Sequence, residues 1–299
     1  MKEARLTFVS RLLILNLAFG LTAAGQEIPP EANRPVTSPG NAVWATTPEE
    51  ARSRAAADNK LVFIELETPD CGNCRRMDNL LYPAFDFEAL LIGMVPVKVN
   101  LDSPEGVELG ARYGVSQTPA ILITSPEGRL VFRMEGFMNA PDFYSHVHQD
   151  LDAYRQFARR VEAQDVQKLD ALVALRTGSE LYQRSDPGAA LPRLKRVVAH
   201  PKATQDQRDE AREILAAVEL DLGQPKASRQ TIDRLIATTK SAERRERAEL
   251  FRAQLPLAEN KPAEAIALFK KFRKDHPRSQ YLARVDEILE KISPTQRNP

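Results

Sequence analysis

The chain has 299 residues, 42% of them hydrophobic and 28% charged, with a formal net charge of +1. That composition is typical of a soluble globular protein long enough for two domains with separate cores. The near-neutral balance gives no electrostatic basis for binding nucleic acid.

Residues 1–25 differ from the rest. Basic Lys2, Arg5 and Arg11 precede an apolar run from Leu12 to Ala24 that ends in small residues, the pattern of a signal peptide. The run falls short of the roughly 20 apolar residues that cross a bilayer. Cleavage near Ala24 or Gly25 would leave no stable membrane span and place the protein in the periplasm or outside the cell, where disulfides form. A retained N-terminal anchor is the alternative. Residues 26–41 contain four prolines among polar residues and read as a flexible linker.

Residues 42–158 read as one α/β domain around a mixed central sheet flanked by helices. After Trp44, Thr47-Pro48-Glu49-Glu50 combines a capping hydroxyl, a first-turn proline and an acid three residues after the cap, which predicts a helix to about Asp58. Leu61 to Leu66 is almost wholly apolar and suits a strand covered on both faces. The Cys71-Gly72-Asn73-Cys74 segment follows directly, and the residues from Cys74 onward favour helix. Val95 to Leu101 reads as a second strand. Ser103-Pro104-Glu105 starts a helix that Gly114 ends. Ala120–Thr124 and Leu130–Phe137 flank the turn-rich Ser125–Arg129 as a β-hairpin, and a closing helix begins near Pro141.

Residues 160–299 carry helical patterns only, and a repeat is visible in them. Pro187, Pro225 and Pro262 each break a helix pair and recur about every 37 to 38 residues. Leu181, Leu220 and Leu257 precede the breaks; Leu194, Ile232 or Leu235, and Leu268 follow them. Each unit is a helical hairpin that buries its apolar face by stacking on the next, and Tyr281–Ile292 supplies a terminal capping helix. Phe269, Phe272 and Tyr281 belong to this core. Two arginine clusters, at 155, 159 and 160 and at 244, 245 and 247, are read as solvated helix faces because Asp and Glu are interspersed with them.

The two cysteines are the only ones in the chain and lie three positions apart, so there is no framework of structural disulfides. In disulfide exchange the attacking species is a thiolate, and a nearby second thiol must resolve the mixed disulfide. A CxxC at a helix N-terminus supplies both: Cys71, at the positive end of the dipole, is the nucleophile, and Cys74, one turn in, resolves. A zinc site would need four ligands. No second cysteine pair exists, and His146, His148, His200 and His276 are remote in sequence. An inert structural disulfide is the other alternative.

From Trp44 to about Tyr154 the chain resembles the thioredoxin-like superfamily, in Trp44, a strand running into CxxC, Lys98 in the next strand, Thr118-Pro119 and Gly136 after the hairpin. The resemblance implies that Pro119 is cis and faces the CxxC and that the backbone of Thr118 pairs with substrate, with Gly72 and Asn73 also meeting it. It further implies that Glu65, six residues before Cys71, is a buried acid relaying a proton to Cys74, with Lys98 as its partner. The rival reading puts Glu65 at a solvent-facing strand end. Two departures bear on the direction of reaction: Asp70 stands where tryptophan is usual, and Gly72-Asn73 replaces Gly-Pro. Asp70 should raise the Cys71 pKa, while Arg75, Arg76 and the helix dipole should lower it, so reductase, oxidase and isomerase all remain open. The C-terminal hairpins resemble tetratricopeptide repeats, which implies a concave surface for a peptide or protein partner.

The expected activity is that of an extracytoplasmic thiol–disulfide oxidoreductase acting on protein substrates with a thiol or disulfide. No cofactor or metal is implied, because the cysteine pair itself holds the electrons. The alternative is a redox-inert scaffold assembling an envelope complex, for which Asp70 is the best support.

Overall fold

The structure, a computed structural model, describes residues 43–83 and 85–292; the signal peptide and linker expected over residues 1–41 lie outside them. The chain divides into two compact units that meet in sequence between Glu162 and Ala163.

The first unit opens with α1 (Pro48–Asp58), started as expected by Thr47, whose hydroxyl accepts the Glu50 N–H at 3.1 Å. It ends at Asn59 in the left-handed region (φ 52°). Strands β1 (Leu61–Glu67) and β2 (Met94–Asn100) pair in parallel, and β1 pairs antiparallel with β3 (Ala120–Thr124), which pairs antiparallel with β4 (Leu130–Glu135). The sheet order is β2-β1-β3-β4, a mixed sheet as expected.

Alternation along β1 sorts its side chains. Val62, Ile64 and Leu66 join Ala51 and Ala55 of α1 and Leu109 and Tyr113 of α4 (Pro104–Tyr113) in one core. Phe63 and Glu65 point to the other face, where the Phe63 ring packs edge-on against Trp44, Tyr82 and Phe87. Gly106 in α4 lies so close to the end of β2 that a Cβ there would fall 1.9 Å from the Asn100 carbonyl oxygen, so only glycine fits.

The helical stretch after the cysteines is two helices, α2 (Gly72–Leu80) and α3 (Phe85–Leu91). The break contains Pro83, which cannot donate to a helical ladder, and the second helix carries no capping signal in the sequence. Strand β4 stops at Glu135, two residues before the expected end. Gly136 turns the chain with φ 81° and gives its N–H to the Pro119 carbonyl at 2.8 Å. The closing helix α5 (Ala140–Glu162) runs past the expected end at residue 158.

The second unit, after a 3₁₀ turn at Val166–Lys168, contains α6 (Ala171–Gln183), α7 (Pro187–Ala199), α8 (Gln205–Asp221), α9 (Pro225–Thr238), α10 (Ala242–Ala258), α11 (Pro262–Asp275) and α12 (Leu282–Ile292). Each helix from α6 on packs against the next. The prolines at 187, 225 and 262 each open the second helix of a pair.

Two expectations are corrected here. Leu268 is only partly buried; Phe269, in register with Ala265 and Phe272 at i, i+4 and i+7, fills that core position. Of the expected solvated cluster on α10, Arg245 is exposed, but Arg244 and Arg247 are not. Arg244 and Arg247 are largely buried against the Glu213 carboxylate of α8, with Nε–O distances of 3.4 and 2.6 Å, and Arg244 also reaches Asp206 at 2.7 Å. Of the acids that pair with these two arginines, Glu243 is on the same helix and Asp206 and Glu213 are on α8. Arg155, Arg159 and Arg160 are exposed as expected.

Phe269→Ala should therefore destabilise the helical unit by about 3–5 kcal/mol, whereas Leu268→Ala should cost well under half as much. Urea denaturation of the two full-length variants checks the ranking, and equal losses would contradict the placement of Phe269.

Candidate active site

Three residues after β1, the chain reaches Cys71, whose N–H bonds the Thr68 carbonyl at 3.1 Å. Cys71 is the N-cap of α2, and its Sγ accepts the Cys74 N–H at 3.0 Å. The two cysteines form a disulfide with a Cα–Cα separation of 5.2 Å. Cys71 is half-buried and Gly72 and Asn73 are exposed, while Cys74 is buried behind them. The sulfur nearer to solvent is thus the one at the helix N-terminus, where unpaired N–H groups and the dipole favour a negative charge. Arg75 and Arg76 are exposed, and the Arg76 guanidinium lies 4.2 Å from the centroid of the Phe137 ring.

The Thr118–Pro119 bond is cis. Pro119 is buried and Thr118 half-buried. The Thr118 hydroxyl is 3.1 Å from that of Thr68, in the loop that leads into Cys71. This pair follows from the ladder: Leu66 of β1 faces Ala120 of β3 in antiparallel register, so residues two beyond and two before, Thr68 and Thr118, come together.

Glu65 is fully buried, which overturns the reading that places it at a solvent-facing strand end. It lies opposite Lys98 in the β1–β2 register, with Lys98 Nζ 3.2 Å from Oε2. The ammonium is shared. Its shortest bond goes to Asp78 Oδ1 of α2 at 2.6 Å, and Glu67 Oε2 is 3.5 Å away. It also lies 5.8 Å and 5.4 Å from the ring centroids of Trp44 and Tyr82. Neither Glu65 oxygen, the Tyr82 hydroxyl nor Trp44 Nε1 has a well-directed hydrogen-bond partner. Burial pushes the Glu65 carboxyl up to about 7, against the opposing pull of Lys98 and the nearby Tyr82 hydroxyl. Burial alone would lower the Lys98 ammonium, but the Glu65, Asp78 and Glu67 carboxylates outweigh it and raise it above the ordinary lysine value.

The structure thus brings Cys71, Cys74, Gly72 and Asn73 together at one helix end and joins Thr118 and Pro119 to them through Thr68. Glu65, fully buried, sits opposite Lys98 on the sheet. Sequence reasoning missed Asp78, Glu67 and Tyr82 around that pair. Asp78 was within reach, because it stands four residues after Cys74 and so shares its helix face. Nothing local marks Tyr82. Among the described residues no group of three or more His, Cys, Asp or Glu side chains is arranged to hold a metal ion, and no helix is long and apolar enough to cross a membrane.

Because the folded Glu65 pKa lies above its ordinary value of 4.5, the group's contribution to stability is complete below that value and is lost as pH rises through about 7. Urea denaturation at stepped pH should show wild-type stability falling across this window relative to Glu65→Gln. Parallel curves would show that Glu65 does not titrate there.

Residues 48–149 match the family model described as a thioredoxin-like domain. The thiol:disulfide interchange protein DsbD of Cronobacter sakazakii is 30% identical over 111 residues, which cover 36% of this chain and 19% of that protein. Of solved structures, a thioredoxin from Thermus thermophilus is 27% identical over 37% of this chain and 87% of its own, with a TM-score of 0.34. The DsbH oxidoreductase is 22% identical over 44% of this chain and 96% of its own, also with a TM-score of 0.34. With the family match, the mixed four-stranded sheet and the cysteine pair at the N-terminus of α2 agreeing, residues 48–149 are a thioredoxin-like domain.

Proposed function

We propose that the protein is an extracytoplasmic thiol–disulfide oxidoreductase acting on protein disulfides through Cys71 and Cys74. The observation that carries this is the position of the pair, with Cys71 as N-cap of α2 and its sulfur facing the Cys74 N–H. Once the pair is reduced, the same N–H and the helix dipole stabilise a Cys71 thiolate. That thiolate attacks one sulfur of a client disulfide; the client S–S bond breaks, a mixed disulfide forms, and the other client sulfur leaves as a thiolate that takes up a proton. The Cys74 thiolate then attacks the Cys71 sulfur and displaces the client sulfur bonded to it, re-forming the Cys71–Cys74 bond and leaving the client reduced by two electrons. A dithiol donor restores the pair, and with the opposite potential difference the same steps run in reverse.

Glu65, fully buried and with its carboxyl near 7, serves in this reading as the base for the Cys74 proton, and Lys98 as its charge partner. Thr118, Gly72 and Asn73 meet the client, with Pro119 shaping the loop. The helical unit, as a tetratricopeptide-like surface, recruits the client or the donor. The apolar run that follows basic residues near the N-terminus supports an extracytoplasmic site, as does a chemistry that needs a compartment where disulfides persist.

Cys74→Ser should trap a mixed disulfide between Cys71 and a model client, visible by non-reducing electrophoresis, and Cys71→Ser should trap none. If neither variant forms an adduct while the wild-type pair fails to exchange with dithiothreitol, the enzyme reading falls and the redox-inert scaffold replaces it. In the active case, the reduction potential sets the direction. A value near about −270 mV makes the protein a reductant, and one near about −120 mV a strong oxidant.

A further inference from the structure

The segment Gly114–Pro119 that ends at the cis-proline has no secondary structure of its own, and its shape is set from the edge strand β4. Glu135, the last residue of β4, directs Oε2 at three donors: the Ser116 N–H at 2.9 Å, the Ser116 hydroxyl at 3.3 Å and the Gln117 N–H at 3.2 Å. Among the described residues these two N–H groups have no other acceptor. The second Glu135 oxygen receives the Arg133 guanidinium, whose other arm donates to the Tyr113 carbonyl at 2.9 Å, at the end of α4. Arg133 and Glu135 are two positions apart on the strand and so share one face. Together they hold the residue before the segment and the middle of the segment itself, and toward its end the Thr118 hydroxyl meets Thr68 beside the cysteines.

The sheet does not need this arrangement, because β3 and β4 are joined by their own backbone ladder. What the carboxylate fixes is the loop alone. Bonds from N–H groups to an ionised carboxylate are stronger than neutral ones, and a loop held before its partner arrives does not have to be ordered on binding.

We propose that Glu135, braced by Arg133, is a positioning residue that pre-shapes the Ser116–Thr118 backbone to receive the client's main chain beside the Cys71–Cys74 disulfide. The inference rests on the exchange reading above. It assigns Glu135 to client capture and not to sulfur chemistry, so a bulky client and a small dithiol should respond differently to its loss.

The test uses full-length Glu135→Ala and Glu135→Gln with insulin as the disulfide substrate. Three quantities are read beside one another: KM and kcat for insulin, the rate at which dithiothreitol reduces the Cys71–Cys74 bond, and hydrogen exchange at the Ser116 and Gln117 amides. Glu135→Ala should raise KM about tenfold, equivalent to the loss of about 1.4 kcal/mol of binding, with kcat and the dithiothreitol rate little changed and both amides exchanging faster. Glu135→Gln, which keeps one acceptor oxygen, should fall between and decides the matter if the alanine variant does not fold. An active wild type whose KM is indifferent to both substitutions overturns the proposal, as does an equal fall in kcat and in the dithiothreitol rate, which would mark general damage. A wild type inert toward insulin and dithiothreitol alike overturns the exchange reading itself, and the proposal with it.

Discussion

A carboxylate placed in the middle of the central strand constrains the first unit more than any other feature. Glu65 lies between Ile64 and Leu66 with no exposure to solvent, and removing an ionised group from water costs several kcal/mol even after relaxation. The β1–β2 register answers part of that cost by setting Lys98 directly opposite. The answer is incomplete, since the ammonium is divided among Glu65, Asp78 and Glu67 and makes its shortest bond to Asp78. The parallel pairing, the register and the position of α2 are therefore coupled: a slip of one residue in β2 would leave Glu65 facing valine.

The same sheet brings the cysteines and the cis-proline to one end. Strand β1 runs toward Cys71 and β3 runs away from Pro119, so antiparallel pairing puts the exit of one beside the entrance of the other. Thr68 and Thr118 meet there for no reason but the register. The cysteine pair is thus carried on a helix terminus, where N–H groups are unpaired, and the neighbouring loop is stabilised by contacts from the sheet edge. Rigid elements supply the geometry, and irregular segments present it.

Much of this was legible in the sequence, and what was not has a physical cause. The cap at Thr47-Pro48, the strand before the cysteines and the left-handed end of α4 at Gly114 depend on chemistry local to a few residues. The repeat breaks at Pro187, Pro225 and Pro262 are equally local. The environment of Glu65 is not: the sequence marks an acid in an apolar run, but its face of β1 is closed by Trp44, Tyr82 and Phe87 packed around Phe63, residues from outside the strand. The clasp of Glu135 on Ser116 and Gln117 spans nearly twenty residues and has no signature in composition or spacing. Leu268 shows the limit in miniature: next to a core Phe269, an adjacent apolar residue points off the core face.

The two units also show why a buried charge does not by itself mark a site. Glu213 of α8 and Glu65 of β1 are both buried glutamates paired with cations. Glu213 receives bonds on both oxygens from the Arg247 guanidinium, with Arg244 close beside it. Guanidinium has the fork that matches a carboxylate and holds its charge throughout the physiological range, so the two-armed Arg247–Glu213 contact joins α8 to α10. Glu65 has a single lysine, misdirected and shared, and a tyrosine hydroxyl that makes no well-directed bond. Burial is the main reason its carboxyl rises to about 7, and Lys98 and the Tyr82 hydroxyl oppose it only in part. A carboxyl held near 7 can take up and give back a proton near neutral pH, as the proposed transfer of the Cys74 proton requires. Both glutamates are buried, so what differs between them is the pairing: a matched guanidinium fork for Glu213, a shared lysine for Glu65.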